Sequence, residues 1–125
     1  MAAKVVVIED DKDILDILKY VLDDAGYEVI TAKDSSMLAY IDQLNPDIIL
    51  IDEWLGADKG SYCCKTLKST IALRHIPVVL MSAATNIENI AQSCGADAYI
   101  RKPFDIDHVT FIVGSLLGKV TNISA

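Results

Sequence analysis

"PDIILIDEWLG", residues 46–56, places four branched aliphatic side chains in succession, Ile48 to Ile51, and ends the run on Asp52 with Glu53 directly behind it. A run this short, apolar at every position, predicts a strand covered on both faces. Such a strand, expected over "DIILI" (47–51), belongs inside a sheet. The carboxylate at its tip therefore needs a physical reason to be there.

Outward from this stretch the same signal returns. "VVVI" (5–8) and "PVVLM" (77–81) are two more fully apolar runs; "YEVIT" (27–31) alternates as an edge strand does, and "DAYIR" (97–101) makes a fifth. Between them lie helical spacings. Ile14, Leu15, Ile17, Leu18, Val21, Leu22 and Ala25 form one stripe, stopped at Gly26. Asp34 is placed as the N-cap of a helix burying Met37, Leu38, Ile41 and Leu44, ended by Pro46. A third helix is expected over 60–71. Thr85 and Glu88 have capping-box spacing ahead of Ile87, Ile90, Ala91 and Cys94, and Asp105 caps a last helix with Val109, Ile112, Val113, Leu116 and Leu117.

Five strand-helix units in alternation require parallel pairing and helices on both faces. The expectation is an α/β, flavodoxin-like, doubly wound five-stranded sheet with five helices; its order, 2-1-3-4-5, is taken by analogy with common folds of this size. With 125 residues the chain fits one domain, expected over 1–118, with "KVTNISA" (119–125) as a short tail.

Composition excludes several functions. Eleven basic against 18 acidic residues give a net charge of −7 with no basic stripe, so a nucleic-acid partner is not expected. No apolar run is long enough to cross a bilayer, and the opening residues lead us to expect no secretory leader. Cys63, Cys64 and Cys94 lack metal-ligand spacing and read as reduced, structural thiols of a cytoplasmic protein.

In open α/β sheets, ligands sit outside the carboxyl ends of the strands. There four of the five strands deliver Glu9 and Asp10, Asp52, Ser82 and Lys102. Two carboxylates about 4 Å apart repel by roughly 4 kcal/mol at an effective dielectric near 20. Lys102 offsets one charge, and a divalent cation would offset the other two. Hard oxygen donors of this kind suit Mg²⁺, or else Mn²⁺.

"VVVIEDDKDI", "IILIDEWLG", "VVLMSA" and "GADAYIRKPF" together resemble the receiver domain of two-component response regulators, over about residues 4–118. The resemblance implies that Asp52 accepts a phosphoryl group. It implies that Asp10 binds the metal directly and Glu9 through water, with Asp52 and the Trp54 carbonyl completing the ligands. Ser82 and Lys102 would bind the phosphoryl oxygens, the bond from Lys102 to Pro103 would be cis, and Tyr99 would be an aromatic switch. A histidine kinase or histidine phosphotransfer protein would be the donor. The protein would then be a switch and not an enzyme, catalysing only its own phosphorylation and dephosphorylation. With no output domain in the 125 residues, the signal would leave by protein contact or by passing the phosphoryl group onward.

Ala84, two beyond Ser82, offers no polar group, and the stretch after the acceptor departs from the family further. An apolar pair followed by Met-Pro is common after the acceptor, whereas this chain has "EWLG" (53–56), adding the acid Glu53 and the bulky Trp54. Phe111 falls opposite the core stripe of the last helix, and with Arg101 marks an expected surface for an unknown downstream protein. Two other classes compete: a phosphate-independent binding module of the same fold, and a Mg²⁺-dependent aspartyl-phosphate phosphohydrolase. Trp54 stands where hydrolases of the haloacid dehalogenase type need a second Asp, which counts against the latter.

Overall fold

A computed structural model describes residues 2–118. The elements run β1 (Lys4–Ile8), α1 (Lys12–Asp24), β2 (Glu28–Ala32), a 3-10 segment (Ser35–Tyr40), α2 (Ile41–Leu44), β3 (Ile48–Asp52), β4 (Trp54–Leu55), β5 (Asp58–Lys59), α3 (Gly60–Ser69), β6 (Val78–Ser82), α4 (Ile87–Cys94), β7 (Ala98–Arg101) and α5 (Ile106–Leu116). Five parallel strands form one sheet in the order β2-β1-β3-β6-β7. Counting only the strands of this sheet, that is the expected 2-1-3-4-5. β4 and β5 form a separate antiparallel hairpin that sequence periodicity did not indicate.

The alternation of strand side chains divides the core in two. Val6, Ile8, Ile49, Ile51, Val78 and Leu80 face one layer, which includes Ile41, Cys64, Leu67, Ile87 and Ala91 from α2, α3 and α4. Val5, Val7, Ile48, Leu50, Val79 and Met81 face the other, with Leu15, Leu18, Leu22, Val109 and Val113 from α1 and α5. Each fully covered Ile or Leu contributes about 2 kcal/mol relative to exposure. The central strands therefore hold their register firmly: a slip of one residue would exchange the two faces.

Several boundaries differ from the sequence expectation. The third and fourth strands begin one residue later than expected, at Ile48 and Val78, and the fifth begins at Ala98. Asp47 and Asp97 sit just ahead of their strands and cap neighbouring amides: Asp47 Oδ2 accepts from Lys4 N (2.7 Å) and Asp97 Oδ2 from Val78 N (2.8 Å). The second strand is 28–32 instead of 27–31. The helix expected after Asp34 is split. Asp34 does cap it, accepting from Ser36 N at 2.9 Å, but Tyr40 at φ −129° leaves helical space and separates a 3-10 segment from α2. α3 stops at Ser69, because Thr70 is extended.

The Thr85–Glu88 capping box does not form. α4 starts at Ile87 with Asn86 in the cap position, so Glu88 is one place too early to reach back, and its carboxylate meets the Tyr99 hydroxyl instead (3.4 Å). Asp105 does cap α5, accepting from Asp107 N at 2.9 Å. Ile17, expected in the stripe of α1, is 46% exposed. No helix among the described residues is long and apolar enough to cross a membrane. The expected tail, 119–125, lies outside the described residues.

Candidate functional site at the carboxyl end of the sheet

Sheet pairing continues one residue past the strand tips and carries the charged residues into register. Glu9 N donates to Ala32 O (3.0 Å), Glu53 N to Met81 O (2.9 Å) and Lys102 N to Ser82 O (2.9 Å). Residues two apart share a face. Glu9 follows Val7, Asp52 follows Leu50 and Lys102 follows Ile100, so all three emerge on the α1/α5 side of the sheet. Glu53 follows Ile51 and emerges on the α3 side.

Lys102 Nζ lies 2.6 Å from Glu9 Oε1 and 2.6 Å from Asp52 Oδ1, bridging two carboxylates that are 1% and 4% exposed. The second oxygen of Asp52 accepts from Trp54 N (3.1 Å), and that of Glu9 from Asp11 N (3.3 Å). Asp10 is exposed at the mouth. Glu9, Asp10 and Asp52 each offer an oxygen within 4.8 Å of the others. Burial pushes the Glu9 and Asp52 carboxyls above their ordinary range, partly offset by the hydrogen bond from Lys102. For Lys102 burial works against the charge, but its bonds to Asp52 and Glu9 prevail and its pKa is raised.

Three carboxylates against one ammonium leave a formal excess of two negative charges at the site. That excess, an all-oxygen donor set and one exposed member fit a small divalent cation that keeps part of its water.

The other expected residues are placed as follows. Ser82, 1% exposed, ends β6, and its Oγ accepts from Ala84 N (3.0 Å). The Lys102–Pro103 bond is cis. Tyr99 is half-buried on β7 against the α4 side of the core. Arg101 is exposed, donating to the carbonyls of Ala84 (3.0 Å) and Thr85 (3.4 Å). Phe111 is 61% exposed on α5. Trp54 turns its ring outward, with the Lys59 ammonium 5.1 Å from the ring centroid. Cys63, Cys64 and Cys94 form no disulfide, and burial drives the Cys64 thiol far above its ordinary pKa.

The roles of two residues, Asp11 and Glu53, are not legible in the sequence expectation above. Asp11 caps α1, accepting from Ile14 N at 3.1 Å, and the signal was present in an Asp standing directly before a helical stripe. Glu53 is 4% exposed and its carboxylate accepts from Ser61 N (2.7 Å) and Ser61 Oγ (2.9 Å). No local pattern announces that pair, since Ser61 lies beyond the unexpected hairpin.

The family model for the response regulator receiver domain matches residues 5–113. The DNA-binding dual master transcriptional regulator RpaA of Synechocystis sp. is 33% identical over 123 residues, covering 96% of this chain and 51% of RpaA. The chain spans about half the length of the curated relatives it matches. Among solved structures, the receiver domain of NtrX from Brucella abortus is 33% identical with a TM-score of 0.80, over 90% of this chain and 97% of that one. The chemotaxis response regulator CheY4 of Vibrio cholerae superposes with a TM-score of 0.85 over 93% of this chain and 99% of that one; at 24% identity it shows the fold alone.

Proposed function

The chain belongs to the response regulator receiver domain family, and from that premise we propose that it is a signalling switch that accepts a phosphoryl group on Asp52. The observation that carries this reading is the convergence of Asp52 with Glu9, Asp10 and Lys102 at one strand-end cleft. The donor is a phosphohistidine of a kinase or phosphotransfer protein. A carboxylate oxygen of Asp52 attacks phosphorus, the O–P bond forms, and the P–N bond breaks with its electron pair leaving to the imidazole, which takes up a proton. Asp carboxylates are competent nucleophiles of this kind, and transfer needs positioning and charge neutralisation more than acid-base chemistry.

Mg²⁺, or Mn²⁺, would be held by Asp10, Asp52, the Trp54 carbonyl and, through water, Glu9, and would supply neutralisation of the phosphoryl oxygens. Lys102 already touches an Asp52 oxygen and is placed to follow the charge as it moves onto the phosphoryl group. Ser82, whose Oγ accepts from Ala84 N, would donate its hydroxyl hydrogen to a phosphoryl oxygen, and Tyr99 would turn inward from its place beside Glu88. The output face is then β7 with the two helices beside it, where Arg101 and Phe111 are exposed. The shift of that face is bounded by the difference in phosphoryl binding energy between its two states.

The test is to incubate the protein with Mg²⁺ and a small-molecule phosphodonor, then weigh it intact beside Asp52→Asn. Wild type is expected to gain one phosphoryl group and the variant none. Equal gain by both proteins, or none by either, overturns the assignment of Asp52.

A further inference from the structure

Three carboxylates are buried among the described residues. Glu9 and Asp52 pair with Lys102, whereas Glu53 is held by neutral donors alone. Its backbone is equally engaged: the amide donates to Met81 O on β6 and the carbonyl accepts from Gly60 N, both at 2.9 Å. One residue thus ties the acceptor strand to the first turn of α3 by three hydrogen bonds. α3 lacks a cap of its own, because Lys59 precedes it with no side-chain bond and its first turn contains no acid. Glu53 supplies from another element the acceptor and the negative charge that a helix N-terminus calls for.

Closed between Glu53 and Gly60 is the loop 54–59. Its strands have two residues each, Gly56 turns it at φ +70°, and every residue except Leu55 is exposed. A hairpin that small is marginal on its own, so its geometry depends on what joins its ends. Trp54, at its first position, donates its amide to Asp52 Oδ2. Gly60, at its far end, is packed so tightly on the Asp52 carbonyl that no Cβ fits.

We infer that Glu53 is a positioning residue for the acceptor site: by clasping Gly60 and Ser61 it closes the 54–59 loop, holds the Trp54 backbone beside Asp52, and so sets the affinity for the divalent cation. The inference rests on the cation site of the proposed function. The apolar residue common at this place in the family would fill the same volume but offer no acceptor to Ser61. Glutamine would serve, since its Oε1 accepts from the Ser61 amide and its Nε2 can donate to the Ser61 hydroxyl.

Mg²⁺ affinity measured by calorimetry on the full chain, with amide hydrogen exchange of the metal-free protein alongside, tests this. Glu53→Ala is expected to weaken Mg²⁺ binding by about tenfold, the scale for loss of a residue that orients a ligand. The amides of Trp54, Lys59 and Ser61 should lose protection while those of β1 and β6 keep it. Glu53→Gln should restore both readouts. Ser61→Ala removes one bond of the clasp and should weaken binding by a smaller factor, which keeps the test decisive if Glu53→Ala does not fold. Wild-type affinity in the Ala variants, or Gln as weak as Ala, overturns the positioning role alone. A wild-type protein that binds no Mg²⁺ and gains no phosphoryl group overturns the proposed phosphoacceptor function together with it.

Discussion

The tip of β3 separates two regions that bury a carboxylate by different means. On the α1/α5 side Asp52 shares one ammonium with Glu9 and faces the exposed Asp10. On the α3 side its neighbour Glu53 faces a helix N-terminus and a serine hydroxyl, and every hydrogen bond it needs comes from within the chain. The second region is complete as it stands. The first carries excess negative charge and gains from a ligand that brings positive charge. Adjacent residues of similar chemistry therefore differ in purpose: Asp52 is held in tension at a cleft, and Glu53 makes the frame that holds it.

The largest expected effect comes from breaking the strained side. Lys102→Ala leaves Glu9 and Asp52 buried without a counter-charge, and metal-free stability at neutral pH should fall by about 3 kcal/mol in urea denaturation. The deficit should shrink in acid, as both carboxyls take up protons. A loss that is the same at every pH would show that Lys102 acts by packing alone.

A smaller effect should follow from forcing the two regions apart. Gly60→Ala drives a methyl group into the Asp52 carbonyl, and relief requires moving α3 or the strand tip. About 2 kcal/mol of stability should be lost, in the range of overpacked interiors. Stability equal to wild type would mean that the contact between the regions is loose.

The smallest effect sharpens the comparison. Burial, with Lys102 as partial offset, holds the Asp52 and Glu9 carboxyls above their ordinary range, so the folded metal-free protein binds protons there more readily than the unfolded chain. The stability from these groups is present below their ordinary pKa and is lost as pH rises through the folded values. Asp52→Asn cannot ionise and leaves Lys102 paired with Glu9, so at pH 7 with chelator it should be more stable than wild type by about 1 kcal/mol. Thermal melts at pH 5 and pH 7 read this directly. A gap that is wider at pH 5 than at pH 7 contradicts the description of a strained site.

Much of this was legible in sequence because it is local. Four aliphatic residues ending at Asp52 announce a covered strand, and the same signal at 5–8 and 78–81 assembles the sheet around it. The charged residues are legible as what the strands deliver at their tips. Caps are less legible, since Thr85 and Glu88 have the right spacing for a helix that begins one residue too late to use it. The hairpin is not legible because two-residue strands leave no periodicity, nor the 3-10 segment, because its apolar spacing is also that of an α-helix.

By itself, then, the sequence determined the alternation of strands and helices, the residues brought to the strand tips and the separation of Asp52 from Glu53 to opposite faces, since all three follow from side-chain periods of 2 and 3.6. Tertiary structure decided which partner each charge obtained. Lys102 reaches Glu9 across 93 positions of chain, and Glu53 finds Ser61 only after an intervening loop has closed. Such pairings depend on distances of a few tenths of an ångström set by sheet register and helix packing, and no local pattern encodes them.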